Sequence, residues 1–231
     1  FTLHYLLIRG SVKKALSGQE FRSYLLVLLI PAAIIAIALF FERGYGIEQA
    51  WRSALFNVVS IVTCTGFANE DYMLWPFFAW FIIFLLMFSG GMAGSTSGGI
   101  KIVRHLLLFK NLGMVLKKLL HKSAVVPVRL DNKTVNPLII HNVLAIFFLY
   151  IITFGFGSLL LTATGLDVVS SMGSVVTCMG GIGPGLATTG PVANYAHLTD
   201  FAKWVLSFMM LLGRLELFTL FIIFHPAFWK R

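Results

Sequence analysis

The chain has 231 residues, of which 58% are hydrophobic, only 12% are charged and 22 are Phe. Soluble domains run at roughly 45–50% apolar and about 25% charged, so the composition excludes an ordinary soluble domain and describes a polytopic membrane protein. The net charge of +9 does not indicate nucleic acid: fourteen of the 18 Lys and Arg fall in the blocks 9–22, 101–133 and 230–231, all on one side of the spans below, which is the positive-inside pattern.

No secretory signal is visible. The chain begins at Phe1 without a Met, and residues 1–20, with Arg9, Lys13 and Lys14, read as a basic entry after a preceding helix. Residues 21–41 are long and apolar enough to span a bilayer, and Pro31 predicts a kink in them. Residues 42–46 form an outer turn. Residues 47–62 then read as a helix of only about 24 Å, too short for a hydrocarbon core about 30 Å thick. It enters and stops at Thr63-Cys64-Thr65-Gly66-Phe67, and the chain returns outward through Asn69, Glu70 and Asp71.

A second span begins at Tyr72, with Trp75 and Trp80 near the outer interface. It breaks at residues 90–99, which hold Gly90, Gly91, Gly94, Ser95, Thr96, Ser97, Gly98 and Gly99. Ten such residues form no stable helix inside a span. The three hydroxyls can hydrogen-bond to exposed carbonyls, so a gate is the reading that fits. A phosphate loop does not fit, because the Gly-Lys-Ser/Thr order is missing and a membrane span precedes it. Residues 21–110 thus make one helix–pore–helix unit, and residues 111–136 a basic cytoplasmic linker ending in the polar turn Asp131-Asn132-Lys133.

Residues 137–231 repeat the plan. A span runs from about Leu138 to Thr164. A short helix opens at Asp167, a residue suited to a helix N-terminus, and ends at Thr177-Cys178-Met179-Gly180-Gly181. A glycine-rich return through Gly183-Pro184-Gly185 leads to a last span, 201–224, which carries Arg214 near its middle and Glu216 two residues on. Four crossings place both chain ends in the cytoplasm. They place Glu42, Glu48, Glu70, Asp71, Asp167 and Asp200 outside, either drawing cations or simply capping helices.

The two short helices end alike. Ser60, Val62, Thr63, Cys64 and Gly66 recur as Ser174, Val176, Thr177, Cys178 and Gly180, 114 residues on. Glycine permits backbone geometry closed to other residues, so successive carbonyls can turn to one axis and replace an ion's hydration shell. Parallel repeats about an axis along the membrane normal enclose a central path, and short helices aiming their C-termini at it favour cations. Two helix–turn–helix units packed by small residues would share the glycines but not the repeated Thr-Cys-x-Gly. The paired cysteines indicate free thiols; a disulfide requires the repeats to face closely.

These motifs resemble the Trk/Ktr potassium transporter superfamily, its membrane subunit of the TrkH type. They are residues 54–60 leading into 63–67, residues 94–101, residues 210–218, and Pro226-Ala227-Phe228-Trp229. The resemblance implies that the chain holds the third and fourth of four helix–pore–helix units. It implies potassium at the filter carbonyls of residues 63–67 and 177–181, gating by residues 90–99, and an Arg214 that faces the pore beneath the filter. It also implies a homodimer in the bacterial cytoplasmic membrane, a cytoplasmic nucleotide-binding regulatory subunit of the TrkA/KtrA type, and no organic cofactor. The fourth filter, Thr177-Cys178-Met179-Gly180, is looser than a Thr-Val-Gly-Tyr-Gly loop. A two-repeat cation channel completed by self-association is the nearest other reading. A polytopic membrane enzyme is the other class, but no Ser/His/Asp set or carboxylate pair is placed for catalysis, and the six His show no ligand spacing.

Overall fold

The computed structural model describes residues 5, 8–10, 16–121, 126–215, 222 and 226–229. Most of the basic entry, Glu216, most of the last span beyond Leu215, and Lys230-Arg231 lie outside the described residues.

Helix α1, Gln19–Arg43, runs unbroken through Pro31 and ends at Gly44, whose φ of 67° and N–H to the Leu39 carbonyl make a left-handed cap. Helix α2, Ile47–Val62, has the bounds the sequence indicates. Asp71 accepts from the Met73 N–H and so starts a single 3-10 turn, Tyr72–Leu74. Pro76 sets the start of α3, Phe77–Leu86, so the second apolar segment is helical over ten residues rather than from Tyr72. After the glycine loop comes α4, Ile102–Leu120. The linker expected from residue 111 therefore begins as helix.

The linker ends in a hairpin. Strand β1, Arg129–Leu130, pairs antiparallel with β2, Lys133–Thr134. Asp131 and Asn132 between them both have positive φ, 47° and 64°, the requirement of the two-residue turn that matches strand twist. Helix α5, Pro137–Ala163, is capped by Asn136, which accepts from the Leu138 N–H. Helix α6, Val168–Gly180, is capped by Asp167, which accepts from Ser170. A 3-10 turn, Ala187–Thr189, interrupts the return. Thr199 caps α7, Asp200–Arg214, and a short α8, Pro226–Trp229, follows.

Among the described residues the regular structure is helical apart from that hairpin and one isolated bridge between Ser89 and Ile100. Each half gives a long apolar helix, a short helix, a non-helical return and a further apolar helix. Helices α1 and α5, with 25 and 27 residues, are long and apolar enough to cross a membrane. Helix α1 packs along α2, and α6 lies between α5 and α7. Helix α6 is buried on every side from Ser174 to Gly180, because neighbours and its own return cover it all round. Phe77, Phe148, Phe156, Leu159 and Trp204 face outward, the apolar surface expected of a lipid-facing wall.

Gly213 lets α7 reach α6. A Cβ there would lie 1.9 Å from the Met179 carbonyl oxygen and 2.7 Å from its carbon. Gly213→Ala must push two backbones apart, an overpacking cost of about 1–3 kcal/mol. The expected result is a lowered thermal midpoint in detergent. A parent-like midpoint contradicts the contact.

Candidate functional site

Helix α2 ends because its own threonines compete for its carbonyls. The Thr63 hydroxyl donates to the Val59 carbonyl at 2.6 Å, and the Thr65 hydroxyl and N–H both reach the Ser60 carbonyl. Cys64 takes a positive φ of 58° and Gly66 one of 74°. Cys64 is a non-glycine in the left-handed region, a conformation that persists only where its surroundings enforce it. Gly66 is required by contact: a Cβ would fall 1.9 Å from the Ile182 carbonyl oxygen. The segments after the two short helices therefore face each other backbone to backbone.

The second segment differs from the sequence reading. The sequence ends this helix at Thr177 and places Cys178, Met179 and Gly180 beyond it, yet all three belong to α6. Nothing in that turn competes for its carbonyls, and the helix stops only where Gly181 adopts the left-handed cap, φ 66°. The non-helical stretch is Gly181-Ile182-Gly183-Pro184-Gly185. Thr177 stays helical and turns its side chain onto that stretch, accepting from the Gly183 N–H at 3.1 Å and donating to the Pro184 carbonyl at 2.8 Å. Both cysteines are free thiols, Cys64 half-buried and Cys178 buried.

The glycine loop closes on itself. Gly90 N–H donates to the Ile100 carbonyl and Ile100 N–H to the Phe88 carbonyl, at 2.8 and 3.0 Å. Ser97 accepts from the Gly91 N–H at 2.7 Å, and the Ser95 and Ser97 hydroxyls are 2.6 Å apart. Lys101 donates to the Ser95 carbonyl at 2.8 Å and to the Ser97 carbonyl. Two elements hold the loop from outside: Glu20 of α1 accepts from the Ala93 N–H, and Arg214 at the end of α7 donates to the Thr96 carbonyl. The tip lies against α6, since a Cβ on Gly98 would sit 2.3 Å from the Gly180 carbonyl oxygen.

These parts meet at one cavity of about 270 Å³. Thr63, Cys64 and Thr65 line it from the first half. Met179, Gly180 and Gly181 line it from the second, Thr96, Ser97 and Gly98 from the loop, and Met210 and Arg214 from α7. Gly99 lines an adjoining cavity of about 200 Å³ with Lys101, Arg104 and Tyr150. Phe67 is turned away, 73% exposed, and Thr177 and Cys178 do not reach the cavity. Sequence reasoning missed Glu20 and Met210. Met210 stands four residues before Arg214, on the same helix face, and that spacing was the available signal.

Among the described residues no group of three His, Cys, Asp or Glu could hold a metal. Several of the acids expected outside are occupied in capping and pairing: Glu48 lies 3.4 Å from Arg52, and Glu70 accepts from the Tyr45 hydroxyl at 2.8 Å. Burial favours the neutral form of Asp167, but hydrogen bonds from Ser170 and Val169 outweigh it and hold the carboxyl below its usual value. Asp167 is therefore ionised at neutral pH, where its charge suits a helix N-terminus.

The profile of the TrkH family, described as a cation transport protein, matches residues 26–231. The Trk system potassium uptake protein TrkH of Salmonella typhimurium is 38% identical over all of this chain and 48% of its own length. The protein of the same description in Escherichia coli K12 is 37% identical over the same shares. The crystal structure of the potassium transporter TrkH from Vibrio parahaemolyticus matches with a TM-score of 0.91 at 34% identity, covering 99% of this chain and 49% of that one. The chain spans about half the length of these relatives.

Proposed function

Because this chain belongs to the TrkH family of cation transport proteins, we propose that it forms part of a potassium uptake path lined by backbone carbonyls. The observation that carries the reading is the 270 Å³ cavity into which the ends of both short helices open. Helix C-termini bear the negative end of the backbone dipole, so two of them at one cavity favour a cation, and carbonyl oxygens suit one that sheds its water. The filter carbonyls in this reading belong to Thr63, Cys64, Thr65 and Gly66 on one side and to Gly180, Gly181 and Ile182 on the other. Thr177 supports the second set through its side chain.

The loop 90–99 is the gate, with its tip beneath the filter, and Arg214 is its latch and a positive charge on the path. The chain functions as part of a homodimer in the bacterial cytoplasmic membrane. Its basic face is cytoplasmic, where a nucleotide-binding regulatory subunit of the TrkA/KtrA type acts on the gate.

Gly66→Ser places a side chain against the Ile182 carbonyl and displaces the facing segment. Rubidium and sodium uptake into vesicles is expected to show selectivity reduced by roughly tenfold, equivalent to ~1.4 kcal/mol at one ion site. An unchanged ratio in a folded variant removes Gly66 from the path.

Arg214→Ala frees the Thr96 carbonyl and deletes a charge whose repulsion of a cation at ~6 Å is about 2–3 kcal/mol at moderate dielectric. Potassium flux in proteoliposomes is expected to rise by about tenfold, with weaker dependence on the regulator. Arg214→Lys is expected to fall between, since it keeps the charge and loses the planar fork. Parent-like flux in a folded Arg214→Ala protein rejects the latch.

A further inference from the structure

Three consecutive carbonyls beyond α6 are each held by a side-chain hydroxyl. The Tyr195 hydroxyl donates to the Gly183 carbonyl at 2.8 Å, the Thr177 hydroxyl to Pro184 at 2.8 Å, and the Tyr72 hydroxyl to Gly185 at 2.7 Å. The backbone donors there are also engaged: Gly183 N–H meets the Thr177 hydroxyl at 3.1 Å and Gly185 N–H the Thr189 carbonyl at 2.8 Å. Among the described residues the first segment shows no such frame, and its Thr63 and Thr65 hydroxyls donate back to their own helix.

Tyr72 and Tyr195 come from different places. Tyr72 stands in the 3-10 turn of the first half, 1% exposed, with its ring against Trp75 at 6.4 Å between centroids. It spans 113 residues of sequence to hold the second half's return. Tyr195 stands on that return itself and is half-buried. A tyrosine is a stiff strut, with two rotatable bonds between the backbone and a donor some 6.5 Å away. Two of them fix where residues 183 and 185 stand, and thereby where the Gly181 and Ile182 carbonyls point.

We infer that Tyr72 and Tyr195 are positioning residues that set the spacing of the second carbonyl segment and with it the discrimination between potassium and smaller cations. The inference rests on the proposed carbonyl path. Where carbonyl oxygens select by cavity size, they must resist closing around a smaller ion. The two struts supply that resistance from outside the path.

The test is rubidium against sodium uptake by the full-length protein, as its gene encodes it, in proteoliposomes, comparing the parent with Tyr72→Phe, Tyr195→Phe and the double variant. Each substitution keeps the ring and removes only the donor. Each single change is expected to lower the rubidium-to-sodium ratio roughly two- to tenfold, the effect of one neutral hydrogen bond, with a larger fall in the double variant. A purely structural role lowers the amount of folded protein without altering the ratio. A selective parent with unchanged ratios in the folded variants overturns this inference alone. A parent that carries neither ion overturns the carbonyl path. Tyr195→Phe, at a half-buried position, keeps the test open if Tyr72→Phe fails to fold, and failure of both makes the hydroxyls structural and overturns the inference too.

Discussion

A helix that stops inside a membrane leaves its last four carbonyls without partners in the helix, and lipid supplies none. Helices α2 and α6 both stop in the interior of the structure, and the surrounding elements are arranged to meet their ends. Helix α7 carries Gly213 where a side chain would strike the Met179 carbonyl. The glycine loop brings Gly98 against the Gly180 carbonyl. The return of one half lays Ile182 against Gly66 of the other. Close backbone approach at these points leaves a small polar cavity, and the carbonyls around it are the proposed cation ligands.

The glycine loop meets the same demand differently. Its ends pair with each other through Phe88, Gly90 and Ile100, its serines pair internally, and the Lys101 ammonium and Arg214 guanidinium take carbonyls from its tip. A segment held by few, mostly polar contacts opens at lower cost than a packed helix. That suits the proposed gate, whose tip meets the end of α6 by backbone contact only around Gly98. Arg214 also lies in the last turn of α7, where a positive charge is favoured by the helix dipole. Ending the helix there stabilises the arginine that the loop uses.

Much of this architecture was legible in the sequence because it rests on length and hydropathy. Helix α2 has the read bounds of Ile47 and Val62, and α1 differs by two residues at each end. The end of the second short helix reads three residues early, at Thr177 rather than Gly180, because Thr177-Cys178 matches Thr63-Cys64 in sequence but not in where the helix stops. The ends differ physically. Threonine hydroxyls unwind the first after Val62, whereas the second runs until Gly181 caps it. The hairpin at Asp131-Asn132 was legible as a polar turn but not as strands, since two-residue strands have no pattern of their own. Contacts over long separation, such as Tyr72 with Gly185 or Glu20 with Ala93, leave no local signal.

The proposed cation path is tested most directly by locating an electron-dense potassium substitute. Crystals of the full-length protein grown in rubidium would be measured at the rubidium absorption edge. The expected result is anomalous density between residues 63–66 and residues 180–182, within carbonyl coordination distance of both segments. Rubidium bound only elsewhere, with the cavity lined by Thr63, Cys64, Thr65, Gly180 and Gly181 empty of it, would contradict the path.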